Sequence, residues 1–352
     1  MGTIYEIYGF DAHQMTYALM EAADVAQRIP SGGRVALKPN LVVAAPPERG
    51  ATTHAGVLSG AIEYLRAHGV EHIEIIEGSW VGARTGEAQR VAGYEAVCKQ
   101  YGVPFYDLKT DHATSVDTPF GPIAICDRAR TADFLINLPV LKGHCQTVMT
   151  CALKNCKGCI PDKEKRRFHA AGLTKPIAAL AWALKPQLTI VDSICGDLDF
   201  EEGGNPVPTG RMYLGTDMVQ LDAYGCRLMG LQLEDVPYIQ WAERWGAGST
   251  QIEERDIVRL NRPEQSMDYP APSGRVAKLT KGVQADQACS ACSAALARAL
   301  YTTGGTGGIP VAIGQGWKGR TFEGLGIGRC CDCAAQQVKG CPPSVQDIID
   351  AL

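Results

Sequence analysis

From residue 34 to about residue 230, short apolar runs alternate with stretches of helical spacing, and this alternation limits the fold more than any other feature of the chain. The run Arg34-Val-Ala-Leu-Lys-Pro-Asn-Leu-Val-Val follows the Gly32-Gly33 breaker and reads as a buried strand. Val57, Leu58, Ala61, Ile62 and Leu65 then recur at helical spacing until Gly69 stops them. His72 to Gly78, Pro104 to Leu108, Phe134 to Val140 and Leu188 to Asp192 read as further strands, and 86–100, 177–184 and 218–231 as helices. Strands separated by helices imply βαβ units, hence an α/β fold with a mainly parallel sheet flanked by helices. Ligands of such sheets sit at the carboxyl ends of the strands. The polar residues just beyond each strand are therefore candidates: Lys38, Asn40, Glu77, Ser79, Lys142, His144 and Asp192.

The character changes after residue 262. Residues 262–274 are rich in Pro, Ser and Gly and read as a linker. The expected division is an α/β substrate-binding domain over 1–262, then the linker and a small, cysteine-bearing C-terminal α/β domain over 263–352. Within the latter, a cysteine-capped helix (287–300), a strand (309–314), a glycine-rich loop and a short terminal helix (344–352) are expected.

Fourteen cysteines in 352 residues set the chemistry of the second part. A disulfide scaffold would be short and exported, and the N-terminus has neither the basic region nor the apolar region of a signal peptide. Thiols in a reducing cytoplasm act instead as metal ligands, nucleophiles or small core residues. Cys289-Ser-Ala-Cys292 opens a helix, whose free amides and dipole favour thiolates. A second group, Cys330-Cys331-Asp-Cys333 followed by Cys341-Pro-Pro, completes a four-thiolate set made of Cys289, Cys292, Cys341 and either Cys330 or Cys333. Four thiolates suit a 4Fe–4S cluster or zinc, and the cysteine followed by proline favours iron–sulfur. Cys151, Cys156 and Cys159 imitate a ferredoxin spacing, a weaker candidate for a second cluster.

The large domain holds a second dense polar region. Lys142 and His144 follow a strand, and Lys154 and Asn155 lie among small and apolar neighbours. A lysine in such surroundings costs several kcal/mol unless it meets an anion. Lys38, Lys142 and Lys154 are read as binding a carboxylate or phosphate, with His144 or His169 as acid or base. Asp192 would neutralise a pocket lysine or hold a base, and Asn40, Asn155 and Asn205 would add polar contacts. Lys163 to Arg167 reads equally as a solvated basic helix, and Asp199, Glu201 and Glu202 as a solvated loop. The net charge of −4 gives no basic field for nucleic acid, and no apolar stretch is long enough for a membrane span.

At these residues the chain resembles the uncharacterised iron–sulfur family known as domain of unknown function 362. The carrying segments are Ala36-Leu-Lys-Pro-Asn-Leu, Leu138-Pro-Val-Leu-Lys-Gly-His, Leu153-Lys-Asn, Gly158-Cys-Ile-Pro, Glu164-Lys-Arg-Arg-Phe-His, Val191-Asp and Gly203-Gly-Asn-Pro-Val-Pro. The tail Gly326-Ile-Gly-Arg-Cys330 with Gly340-Cys-Pro-Pro is also similar, and this resemblance implies Cys330 as the third ligand. The expectation is a cytoplasmic iron–sulfur oxidoreductase whose single 4Fe–4S cluster, on Cys289, Cys292, Cys330 and Cys341, feeds a small anionic substrate. Ferredoxin or flavodoxin would be the redox partner, and a homodimer is compatible. A hydro-lyase with an open iron site, or an electron carrier or cofactor-maturation protein, are the competing readings.

Overall fold

A computed structural model describes residues 2–263, 269–272 and 274–352, so the linker residues 264–268 and 273 lie outside the described set. Eight strands form the main sheet in the order Ile257–Arg259, Ile4–Tyr8, Pro206–Gly215, Leu188–Asp197, Phe134–Leu138, Val35–Pro39, Ile73–Glu77 and Phe105–Asp107. The long Pro206–Gly215 strand runs antiparallel to both its neighbours, and all other pairs are parallel. The α/β class with a mostly parallel sheet flanked by helices is therefore what the alternation predicts.

Both faces of the sheet are covered, which explains why its central strands are apolar throughout rather than alternating. Val35, Leu37, Ile73, Ile75 and Ile136 pack under helices Ala12–Ala22 and Ala55–Ala67. On the other side, Val191 and Tyr213 pack with helices Thr174–Leu184, Met218–Leu228 and Pro237–Arg244. The C-terminal part has its own four-stranded parallel sheet and its own core, built from helix Ser290–Thr303 and residues such as Val311, Ile313, Leu325 and Ile348.

Several expectations need correction. The helix expected over 86–100 is two, Thr85–Val91 and Tyr94–Tyr101, because Gly93 takes a left-handed φ of 82° between them. The glycine-rich loop of the C-terminal part contains the parallel strands Phe322–Ile327 and Ala334–Val338. Lys142 and His144 do not merely follow a strand. They lie in one, Lys142–His144, paired antiparallel with Val148–Thr150.

That small hairpin lies against the loop leaving Leu188–Asp197, and glycine is what permits the approach. A Cβ at Gly143 would sit 2.1 Å from the Leu198 carbonyl oxygen, a backbone atom that cannot rotate away. Gly143→Ala is expected to cost about 1–3 kcal/mol as an overpacking change. Urea unfolding of the variant beside the parent checks this, and an unchanged midpoint would contradict the contact.

Candidate active site

Three neighbouring strands carry polar side chains to their carboxyl ends, where the sheet opens into a cavity of ≈ 100 Å³, room for several waters or one small molecule. Lys38 and Glu77 meet there at 2.6 Å, the two side chains 2% and 3% exposed. Lys38 also donates to its neighbour's carbonyl, Pro39 O, at 2.9 Å. Asn137, opposite Lys38 in the sheet, accepts from Asn155 Nδ2 at 2.8 Å and donates to Ala152 O at 3.0 Å. Gly158 closes over this group. A Cβ there would lie 2.8 Å from Lys38 Cε and collide with the Glu77 carboxylate.

The hairpin Lys142–His144 supplies the next wall. Lys142 Nζ donates to Glu201 O at 2.8 Å and to Ala51 O. Burial first, then the nearby Lys154 charge, pulls its pKa from the usual 10.5 down to about 7. Lys154, four residues along from Thr150, donates to that hydroxyl at 3.4 Å, and burial draws its pKa down to about 8 against the pull of Glu201.

His144 is equally constrained. Its Nδ1 accepts from the backbone amides of Gln146 (3.0 Å) and Thr147 (3.3 Å), which leaves the proton on Nε2, facing Glu201 Oε1 at 3.3 Å. Burial and then the Lys154 charge hold the ring neutral. His144, Cys145 and Glu201 place ligand atoms within 4.8 Å of one another, so by spacing they could hold a metal ion. The tautomer opposes it, since the Nε2 lone pair a metal needs is occupied by hydrogen. This triad fits a hydrogen-bonded wall better.

Helix Asp162–Ala170 presents Lys165 and His169 at i and i+4, hence on one face. Lys165 is 3% exposed and donates to Gly78 O (3.0 Å), Ser79 O (2.8 Å) and Asp162 (3.3 Å). The run 163–167 is thus not uniformly solvated, although Lys163, Arg166 and Arg167 are exposed and Arg166 stands at the cavity wall. His169 Nε2 lies 3.2 Å from Lys157 Nζ and 3.4 Å from Ser290 Oγ, while its buried Nδ1 has no partner. Burial, then Lys157 and Lys154, depress the His169 pKa to about 2. With Nε2 accepting from Lys157, Nδ1 carries a free N–H. In all, five lysines and one arginine line the cavity against two carboxylates, Glu77 and Glu201.

The fourth wall comes from the C-terminal part. Cys289, Ser290 and Ala291, at the start of helix Ser290–Thr303, line the same cavity as the lysines. Cys289 is held below the ordinary thiol range by a hydrogen bond from Cys292 and by the helix-start amides of Cys292 and Ala291. The Cys292 thiol is pushed up by that same bond, by burial, and by the charges of Cys289, Cys341 and Cys330. Cys330 in turn feels Cys289 and Cys341. Gly328 permits the close approach: a Cβ there would sit 3.2 Å from Cys292 Sγ, at a left-handed φ of 86°. Cys331 turns the other way, its thiol donating to Ala312 O at 3.5 Å in the small core, and Cys333 is exposed. Cys289, Cys292, Cys330 and the exposed Cys341 are thus near enough for their charges to act on one another, four sulfur donors of the kind a metal centre takes.

Other candidates are placed elsewhere. Cys151, Cys156 and Cys159 do not form one group: Cys156 and Cys159 feel each other's charge, but Cys151 faces Tyr213 Oη at 3.5 Å, Cys156 also meets Met218 Sδ at 3.9 Å, and Cys159 packs with Ala36, Ile76 and Leu108. Asn40 and Asn155 line the cavity, whereas Asn205 does not; its backbone N–H donates to Asp197 Oδ2 at 2.7 Å. Asp192 is also outside the cavity wall. It is fully buried and accepts from the backbone N–H (2.8 Å) and Nδ1 (2.8 Å) of His54, so it holds a base rather than a pocket lysine. Burial would lower the His54 pKa, but the Asp192 carboxylate outweighs it and raises it to about 11. Glu201 is not in a solvated loop; it is 2% exposed and accepts from Cys145 N at 3.0 Å.

A family described as domain of unknown function (DUF362) matches residues 35–227, and the chain belongs to that family. A thylakoid-associated protein from Synechocystis sp. is 28% identical over 233 residues, covering 63% of this chain and 71% of the relative. Among solved structures, the lactate racemase apoprotein from Thermoanaerobacterium thermosaccharolyticum aligns with TM-score 0.45 and 14% identity, over 64% of this chain and 56% of that one. Among the described residues no helix is long and apolar enough to cross a membrane.

Two stability measurements check the electrostatics of this site. Glu77→Gln strands Lys38 as an uncompensated buried charge and should cost about 3–5 kcal/mol, much of it recovered in Lys38→Met/Glu77→Leu. Equal losses in the single and double variants would contradict the pairing. Lys142 binds its proton less tightly folded than unfolded, so its contribution to stability rises with pH from about 7 to 10.5. Lys142→Met should remove that slope from a denaturation–pH profile, and an unaltered slope would contradict a depressed Lys142.

Proposed function

We propose that this chain is an iron–sulfur oxidoreductase acting on a small anion. Cys289, Cys292, Cys330 and Cys341 would hold one 4Fe–4S cluster, and the basic cavity would hold the substrate. The observation that carries the proposal is Cys289, which belongs both to the thiol group and to the cavity wall. When bound, such a cluster supplies electrons singly at that wall.

The chain's own residues would do the rest. Lys38 and Lys165 are already tied to Glu77 and Asp162, so they set shape rather than bind anions. Lys154 and Arg166 have no carboxylate within 4.0 Å among the described residues and offer charge to a carboxylate or phosphate, while Lys157, its pKa pushed well down by burial and then by Lys154, offers N–H groups beside them. The unpartnered Nδ1–H of His169 would orient an acceptor atom of the substrate. Electrons would arrive from a carrier such as ferredoxin or flavodoxin. Fourteen unpaired thiols accord with a reducing compartment such as the cytoplasm.

Anaerobic purification with iron and acid-labile sulfide analysis tests the cofactor. The third ligand is tested by two variants: Cys330→Ser should lose the cluster and Cys333→Ser should keep it. The opposite pattern would overturn the ligand assignment.

A further inference from the structure

We propose that Lys142 is a covalent nucleophile, condensing as an imine with a small substrate that carries both a carbonyl and an anionic group, as a 2-oxo acid does. This rests on the reading of the cavity as an anion site, and names the substrate class for it.

The argument starts from hydrogen-bond valence. A neutral primary amine has two N–H bonds and one lone pair, in tetrahedral arrangement. Lys142 Nζ has two acceptors, Ala51 O and Glu201 O, both rigid backbone carbonyls. They take the two N–H bonds and leave one tetrahedral position, the lone pair, on a side chain that lines the cavity. The other deeply buried lysines of the site differ in kind. Lys38 meets Glu77 at 2.6 Å and Lys165 meets Asp162 at 3.3 Å, so each has a carboxylate partner. Lys142 has no carboxylate within 4.0 Å among the described residues.

Its surroundings favour the free amine, burial outweighing the more distant carboxylates of Glu201, Glu202 and Asp197. The side chain is 1% exposed, and Lys154 contributes a second positive charge from across the hairpin, through Thr150, the cross-strand partner of Lys142. Desolvation beside another cation is one of the two standard ways of activating a lysine nucleophile. Its pKa near 7 agrees. Lys154, beside Thr150, would hold the substrate's anionic group, which places its carbonyl carbon near Lys142.

The step balances without an oxidant or reductant. The Nζ lone pair forms a C–N bond to the carbonyl carbon, and the C=O π pair moves onto oxygen. The two amine hydrogens then leave with that oxygen as water, and the C=N bond remains. Hydrolysis reverses it.

The full chain, purified anaerobically with its metal content intact, is incubated with glyoxylate or pyruvate and sodium cyanoborohydride, then digested and mapped by mass spectrometry. Cyanoborohydride delivers hydride to the imine carbon and fixes the adduct as a secondary amine. The expected result is one adduct per chain, on Lys142, formed at least about tenfold faster than on any surface lysine, since ordinary lysines are almost wholly protonated at neutral pH. Oxalate, an anion without an electrophilic carbonyl, should suppress it, and Lys142→Met should abolish it. An unmodified Lys142 peptide, or adducts only on other lysines, overturns the proposal whether or not the variant folds. Failure here in a protein that carries acid-labile sulfide sinks the nucleophile alone. A Lys142 adduct in a protein without sulfide sinks the iron–sulfur reading alone.

Discussion

The ion pair between Lys38 and Glu77 fixes the geometry on which the rest of the site depends. Two charges at the carboxyl ends of adjacent parallel strands, each almost wholly removed from water, are tolerable only at close range. Their 2.6 Å contact sets where the cavity floor can lie. It forces glycine at position 158 and brings the segment carrying Lys154 and Lys157 over the strand ends. The remaining cations then have a different status. Lys154, on a hydroxyl, and Arg166 have no carboxylate within 4.0 Å among the described residues, so their charge is left for something else to balance.

The C-terminal part completes this arrangement rather than hanging beside it. Gln146 Nε2 donates to Ala288 O at 2.7 Å, and Ser290 Oγ bonds Gln146 Oε1 at 3.0 Å, docking the start of helix Ser290–Thr303 against the hairpin loop. On the other side a Cβ at Gly82 would stand 3.3 Å from the Cys341 carbonyl, so the loop after Glu77 packs closely on the last thiol segment. The thiol group and the basic cavity are thereby two sides of one wall.

Much of this was legible in the residues. Apolar runs announced the central strands because both their faces are buried, and spacing nominated Cys289, Cys292 and Cys341. Lys142 and Lys154 stood out because a lysine among apolar neighbours has few bland explanations. What stayed hidden depends on contacts remote in sequence. Glu201 looked like one of several loop acids until Cys145 and His144 closed on it. Lys157 was not singled out and Lys165 was seen only as part of the basic run 163–167, though the i, i+4 spacing of Lys165 and His169 was a usable signal. His54, 138 residues from the Asp192 that holds it, carried none. The strands Ile4–Tyr8 and Pro206–Gly215 were missed because the latter begins with exposed Pro206 and Pro208, which read as loop.

The central claim is that an iron–sulfur cluster and an anion site share a wall. Electron paramagnetic resonance of the anaerobically purified, dithionite-reduced protein, recorded with and without saturating oxalate, tests it most directly. The account predicts the low-temperature signal of a reduced 4Fe–4S cluster, with g values that shift when the anion binds and fail to shift in Lys154→Gln. A protein containing zinc and no acid-labile sulfide, or a cluster signal indifferent to every anion tried, would contradict it.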